Sequence, residues 1–199
     1  MSTENQSVCA VVVAAGSSRR MGGENKLLLP LCGKPVLAHT LTAFQMCGAV
    51  RDIVLVCREQ DMEVYRTLAA ENGITKLRTL TRGGDTRTES VLAGVSAASE
   101  ACALVAVHDG ARPLVSDEVI TQAVDEAAKT GAAAPVVPVK DSIKRIENGK
   151  IAADVPRDTL AAVQTPQVFR RELLLDALQS AAASGRSFTD DCAAVEALG

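Results

Sequence analysis

Three short stretches of this sequence hold the residues that could do chemistry. The first is Gly16 followed by Arg19, Arg20, Gly22, Gly23 and Lys26. The second runs Arg82-Gly83-Gly84-Asp85-Thr86-Arg87-Thr88-Glu89-Ser90, and the third His108-Asp109-Gly110-Ala111-Arg112-Pro113. Glycine lets backbone N–H groups approach an anion, because it lacks a Cβ and tolerates positive φ. Arginine adds a planar fork matched to phosphate oxygens, and lysine a point charge. An aspartate beside them is a natural place to hold a divalent cation. Together these types favour the handling of phosphates. The glycine spacing is neither that of a P-loop nor Gly-x-Gly-x-x-Gly. For the first stretch alone, an ordinary strand-to-helix turn with surface arginines is the alternative.

The elements that must position these stretches are legible around them. The run 8–14 is almost wholly apolar, as for a strand buried on both faces of a parallel sheet. A helix starts at Pro35 and stops at Gly48; a strand covers 52–57; Asp61 caps a helix to 71, closed by Asn72-Gly73. A strand over 76–81 leads into the second stretch, which opens a helix to about 98. The strand 103–107 leads into the third, and Ser116 caps a helix over 117–129 closed by Gly131. A strand over 132–139 follows. This alternation predicts an α/β fold with a doubly wound, Rossmann-like, mostly parallel sheet. All three stretches then fall on its carboxyl edge, where ligands bind.

After residue 139 the pattern changes. Residues 142–152 alternate apolar and polar around Asn148-Gly149, which signals a β-hairpin. We expect a protruding arm over 140–158 on a single domain spanning 1–199. A hairpin has little core of its own, so a second subunit is its expected support. A helix over 171–183 ends at Gly185, and Thr189 is a candidate cap for a last helix over 190–198.

The bulk composition narrows the partners. The chain has 199 residues, 47% of them hydrophobic but only 2% aromatic, so aromatic platforms for single-stranded nucleic acid are nearly excluded. The net charge of −3 argues against a nucleic acid or an anionic membrane as partner. No apolar run reaches the ~20 residues that span a bilayer. The cysteines at 9, 32, 47, 57, 102 and 192 show no metal-ligand spacing. The expectation is a soluble protein of the reducing cytoplasm.

The motifs occur together in one order: Ala14-Ala15-Gly16-x-x-x-Arg20-Met21-Gly22 with Lys26, Gly83-Gly84-x-x-Arg87-x-x-Ser90, Asp109-x-Ala111-Arg112-Pro113, and Arg157 before Thr165-Pro166-Gln167-x-Phe169. Over about 8–198 the sequence thereby resembles the 2-C-methyl-D-erythritol 4-phosphate cytidylyltransferase family of the non-mevalonate isoprenoid pathway. The resemblance implies a nucleotide-diphospho-sugar transferase type of fold. It also implies the reaction: the acceptor's phosphate attacks the α-phosphorus of CTP, and pyrophosphate leaves with Mg2+. In such an enzyme Arg20 and Lys26 would hold the triphosphate and stabilise the transition state, and Arg157 would orient the sugar-alcohol phosphate. Ala14, Ala15 and Gly16 would offer backbone to the nucleotide, and Gly84 and Ser90 would read cytosine. Asp109 would sit beside Mg2+ and the nucleotide. Arg112, Thr165 and Thr189 would join Arg157 around the acceptor.

The same resemblance implies a homodimer joined through the arm, with Arg157 reaching across it. It further implies a final strand with a phosphate-gripping lysine. The sequence stops at Gly199, so that strand, and half of the phosphate clamp, is expected to be absent. Ribitol-5-phosphate cytidylyltransferases share the CTP half, so that acceptor is an alternative. A CTP-binding module without full activity is another.

Overall fold

The computed structural model describes residues 7–16, 25–186 and 188–199. Its central strand is β1 (Val8–Val13). Val8, Ala10 and Val12 face one hydrophobic cluster, while Cys9 and Val11 face another. With apolar packing on both sides, neither face meets water, and the strand is apolar throughout. A small hairpin, β2 (Pro30–Leu31) and β3 (Lys34–Pro35), turns at Cys32 and Gly33 with φ of 49° and 82°. Pro35 stands just before α1 (Val36–Met46), whose Leu37, Leu41 and Phe44 are buried at helical spacing.

The alternation continues through β4 (Val50–Cys57), α2 (Met62–Glu71), β5 (Leu77–Arg82), α3 (Arg87–Ala97), β6 (Leu104–Asp109) and α4 (Asp117–Thr130). Ser116 caps α4 and Gly131 closes it at φ 94°, as the sequence predicts. Asp61 precedes α2 without capping it; its carboxylate accepts from Arg58 Nε at 2.7 Å instead.

The remaining elements are β7 (Ala132–Ala133), β8 (Val136–Pro138), β9 (Ile143–Glu147), β10 (Lys150–Val155), β11 (Ala161–Val163), β12 (Gln167–Arg170), α5 (Arg171–Ala183) and α6 (Asp191–Glu196). The main sheet has the order β5-β4-β1-β6-β12-β7. β5, β4, β1 and β6 pair in parallel, whereas β12 is antiparallel to both β6 and β7. α1, α2 and α4 contribute buried residues to one cluster, and α3, α5 and α6 to the other. α3 lies close on the sheet at Gly94, where any Cβ would intrude on Val11 and Val56.

The single strand expected over 132–139 is two short strands. β7 stays in the main sheet, and β8 leaves it to pair with β11. Pro135 lies at the break and Pro138 ends β8; neither has an N–H for a central ladder. The arm forms as predicted, with β9 antiparallel to β10 around Asn148 and Gly149 at φ 51° and 75°. Its Ile146 and Ile151 face each other across the ladder, 58% and 70% exposed.

Candidate active site

The three marked loops meet where sequence reasoning placed them, at the carboxyl ends of β1, β5 and β6. The second and third, with the described ends of the first at 14–16 and Lys26, line a cleft of about 1000 Å³. Backbone bonds tie the loops to neighbouring strand ends: Ala14 N–H donates to Val56 O of β4 at 2.7 Å, Gly83 N–H to Cys57 O of β4 at 2.9 Å, and Gly110 N–H to Val13 O of β1 at 2.9 Å. Gly83 is glycine for a steric reason. A Cβ there would stand 2.6 Å from Ala15 Cβ and 2.8 Å from Ser90 Oγ. The first and second loops therefore touch through that missing side chain.

The N-terminus of α3 is built by a capping box. Thr86 Oγ1 accepts from Glu89 N–H at 3.1 Å, and Glu89 Oε2 accepts from Asp85 N–H at 2.7 Å and Thr86 N–H at 3.1 Å. Ser90 follows in the first turn and lines the cleft. Its hydroxyl donates to Thr86 O at 2.9 Å, with Gly84 O at 3.4 Å, so it is also a local tie. Ala14, Ala15, Gly16 and Gly84 line the cleft too.

Lys26 is exposed on the cleft wall between two anchored neighbours. Asn25 Nδ2 donates to the hydroxyl of buried Tyr65 at 2.9 Å, and Leu27 is buried in the core. Arg20, the other cation on which the reading rests, lies outside the described residues.

Asp109 closes β6 and faces the cleft. Its Oδ2 accepts from Arg112 Nε at 2.9 Å, and its Oδ1 stands 3.9 Å from an Arg87 guanidinium nitrogen. Behind it, His108 is fully buried and packs edge-on against Phe44 at 4.9 Å. Burial pushes its imidazole down to about 4, so the ring is neutral at pH 7. The Arg112 carbonyl, 3.1 Å from Nε2, can only accept, so Nε2 carries the proton. Nδ1 then accepts from the Thr165 hydroxyl at 2.9 Å.

The acceptor residues implied by the resemblance are not all brought together. Arg112 and Thr189 line the cleft. Thr165 does not; it is buried between His108 and the Asp109 amide. Arg157 lies outside the cleft of its own chain, at the foot of the arm, where it donates to Lys140 O at 2.6 Å. Nor does Thr189 cap α6. Asp190 does, accepting from Ala193 N–H at 2.9 Å, because the helix begins one residue later than the sequence suggested.

The sequence model of the 2-C-methyl-D-erythritol 4-phosphate cytidylyltransferases matches residues 8–199. The chain belongs to this family. A relative of that name from Dehalococcoides mccartyi is 42% identical over 98% of this chain and 84% of its own length. Another, from Halalkalibacterium halodurans, is 44% identical over 95% and 83%. Among solved structures, the 4-diphosphocytidyl-2C-methyl-D-erythritol synthase of Anaerococcus prevotii superposes with a TM-score of 0.87 at 28% identity, covering 98% of this chain and 83% of that one. The Thermus thermophilus 2-C-methyl-D-erythritol 4-phosphate cytidylyltransferase gives 0.74 at 32% identity, covering 96% and 84%. None of these names favours the ribitol-phosphate alternative.

For a cytidylyltransferase of this family the donor set around Asp109 is informative. Among the described residues no three His, Cys, Asp or Glu side chains cluster as a metal cage. A lone carboxylate does suit Mg2+, which takes one or two carboxylates and draws its other ligands from substrate phosphates and water. Asp109 lines the cleft, and among the described residues its Oδ1 accepts no hydrogen bond, so the residues present fit that mode. Sequence reasoning gave no individual role to Arg58, Arg82 and Arg87, which also line the cleft. Arg82 and Arg87 both stood in the second marked stretch, Arg87 within the motif Gly83-Gly84-x-x-Arg87-x-x-Ser90; Arg58 carried no signal beyond its position just after β4.

Proposed function

We propose that this chain transfers a cytidylyl group from CTP to 2-C-methyl-D-erythritol 4-phosphate, releasing pyrophosphate, in isoprenoid precursor biosynthesis. The observation that carries the reading is the convergence of three glycine- and arginine-marked loops on one cleft at the sheet's carboxyl edge. A phosphate monoester has a second pKa near ~6, so the acceptor is largely dianionic at neutral pH and needs no general base. What the protein must do is bring two anions together and stabilise charge on phosphorus and on the leaving group. Arg20 and Lys26 hold the triphosphate in this reading. The backbone of residues 14–16 cradles the nucleotide, and Gly84 and Ser90 read cytosine. Asp109 would hold Mg2+ together with the nucleotide's own phosphates, and the ion when bound supplies charge neutralisation at the leaving group.

The acceptor lies beside Arg112 and Thr189 and is oriented by Arg157. Arg157 stands on an exposed arm away from its own chain's cleft. Its contribution is therefore assigned across a homodimer, with the exposed Ile146–Ile151 pair as part of the contact. The six unpaired cysteines suit a cytoplasmic location. Among the described residues no helix is long and apolar enough to cross a membrane.

The test is pyrophosphate release with CTP, Mg2+ and methylerythritol phosphate, run beside ribitol 5-phosphate. Arg20→Ala and Lys26→Ala should each lower kcat. Faster turnover of ribitol phosphate overturns the acceptor, and calorimetric CTP binding without product overturns the enzyme reading. Light scattering that gives a monomer at micromolar concentration overturns the dimer.

A further inference from the structure

Asp191, on α6, has a side chain only 2% exposed. Its two oxygens accept from the two terminal nitrogens of Arg87, at 2.7 Å and 2.9 Å. The residues are 104 apart in sequence, and Arg87 is the first residue of α3, on the cleft wall. α6 is itself pinned. Gln167 Oε1, from buried β12, accepts from the backbone N–H of Asp191 at 2.9 Å and of Cys192 at 3.2 Å. A carboxylate with both oxygens engaged fixes the plane of the guanidinium as well as its place. The nitrogen that donates to Asp191 Oδ2, Nη2, also stands 3.9 Å from Asp109 Oδ1, within ion-pair reach, while Arg112 holds Oδ2. Burial opposes the Arg87 charge, but the hydrogen bond and charge of Asp191 outweigh it, and the net shift is upward.

We propose that Arg87 is a positioning residue for Asp109, and that the buried carboxylate of Asp191 holds it in that role. The last helix is thereby wired to the metal-side carboxylate of the cleft. Arg87 is too committed to Asp191 to swing onto a phosphate, so it sets the Asp109 rotamer from one side as Arg112 does from the other. This rests on the reading of Asp109 given above.

The experiment is calorimetric titration of the full chain with CTP, once with Mg2+ and once with EDTA. Wild-type protein should bind CTP more tightly with Mg2+. Asp191→Asn, which keeps the shape and drops the charge, should lose about tenfold of that advantage, the low end for removing a group that orients a metal ligand. Its affinity in EDTA should change less than threefold. A purely structural defect would weaken both arms alike. The paired replacement Arg87→Met with Asp191→Leu removes both charges and leaves no orphaned carboxylate. It should melt near the wild-type Tm and still lack the Mg2+ advantage. Either variant keeping the full advantage overturns the proposal. Asp109→Asn is titrated alongside; if it keeps the advantage, the reading of Asp109 is what fails, whatever the other variants do.

Discussion

The Thr165 hydroxyl lies 2.9 Å from Nδ1 of His108 and 3.4 Å from the amide nitrogen of Asp109. It accepts from the Asp109 N–H and donates to the imidazole, whose Nε2–H in turn holds the Arg112 carbonyl. The loop that carries Asp109 and Arg112 is thus closed on itself through a neutral, buried ring. That ring resists protonation until about pH 4, whereas in the unfolded chain it titrates near 6.5. The unfolded state therefore binds the extra proton through this window and the native state does not. The stability involved is full above pH 6.5 and falls as the pH drops toward 4, by about 3 kcal/mol across the window. Urea unfolding at pH 7, 6 and 5 should show the loss. His108→Asn should flatten the slope in this range, and an unchanged slope would sink the assignment.

Thr165→Val keeps the shape of the side chain and removes the hydroxyl. It leaves a buried imidazole nitrogen and the Asp109 N–H without their partner, at a cost of about 1–3 kcal/mol. Thr165→Ser should restore most of the loss, because it returns the hydroxyl. Because Thr165 is buried behind Asp109, Thr165→Val should also disturb the nucleotide side of the reaction. The KM for CTP and kcat should change with it. A rise confined to the KM of the acceptor would instead make Thr165 a direct acceptor contact.

The parts of the site that were legible in the sequence are those set by local chemistry. An apolar run ending in glycine, a strand ending in Asp-Gly, and Ser116 or Gly131 at a helix end each act over a few residues. Asn148-Gly149 did the same for the arm. What could not be read there depends on partners far along the chain. β12 enters antiparallel between β6 and β7, and nothing within Gln167–Arg170 states that direction. Asp191 looks like one more acid in a first turn until Arg87 is placed against it. The break at Pro135 was legible in principle, since a missing N–H argues against a continuous central strand. Thr189 and Asp190 are both good caps, and only the backbone geometry separates them.

Gly83→Ala tests how the two glycine loops meet. The new methyl would have to displace Ala15 or the Ser90 hydroxyl, at 2.6 Å and 2.8 Å. Both groups line the cleft, so the damage should fall on nucleotide binding more than on the core. We expect kcat/KM for CTP to drop about tenfold or more, which is ~1.4 kcal/mol of transition-state stabilisation. Gly94→Ala is the counterpart within the core. Its methyl would press α3 away from Val11 and Val56, an overpacking cost of about 1–3 kcal/mol. Thermal melts and CTP kinetics on both variants should separate the two: Gly83→Ala loses activity first, Gly94→Ala stability. The opposite ordering would mean that the loop contact does not shape the nucleotide site.

The six cysteines should divide sharply in their reactivity. Burial pushes the thiols of Cys9 and Cys192 up to about 12 and that of Cys57 to about 11, and it raises Cys47 and Cys102 as well. The thiolate is the reactive species, so these five should be nearly inert at neutral pH. Cys32 is exposed, at the tip of the small hairpin that leads into α1. Under native conditions a thiol reagent should therefore modify one site quickly and the other five only on unfolding. Mass spectrometry of the partly modified chain should place the fast label on the peptide containing Cys32, and Cys32→Ser should abolish the fast phase. Cys32 lies on the turn rather than in the cleft, so the labelled protein should keep its affinity for CTP. Rapid labelling of Cys192 would show instead that α6 opens readily, and that Arg87 is released from Asp191 far more often than a buried bidentate pair allows.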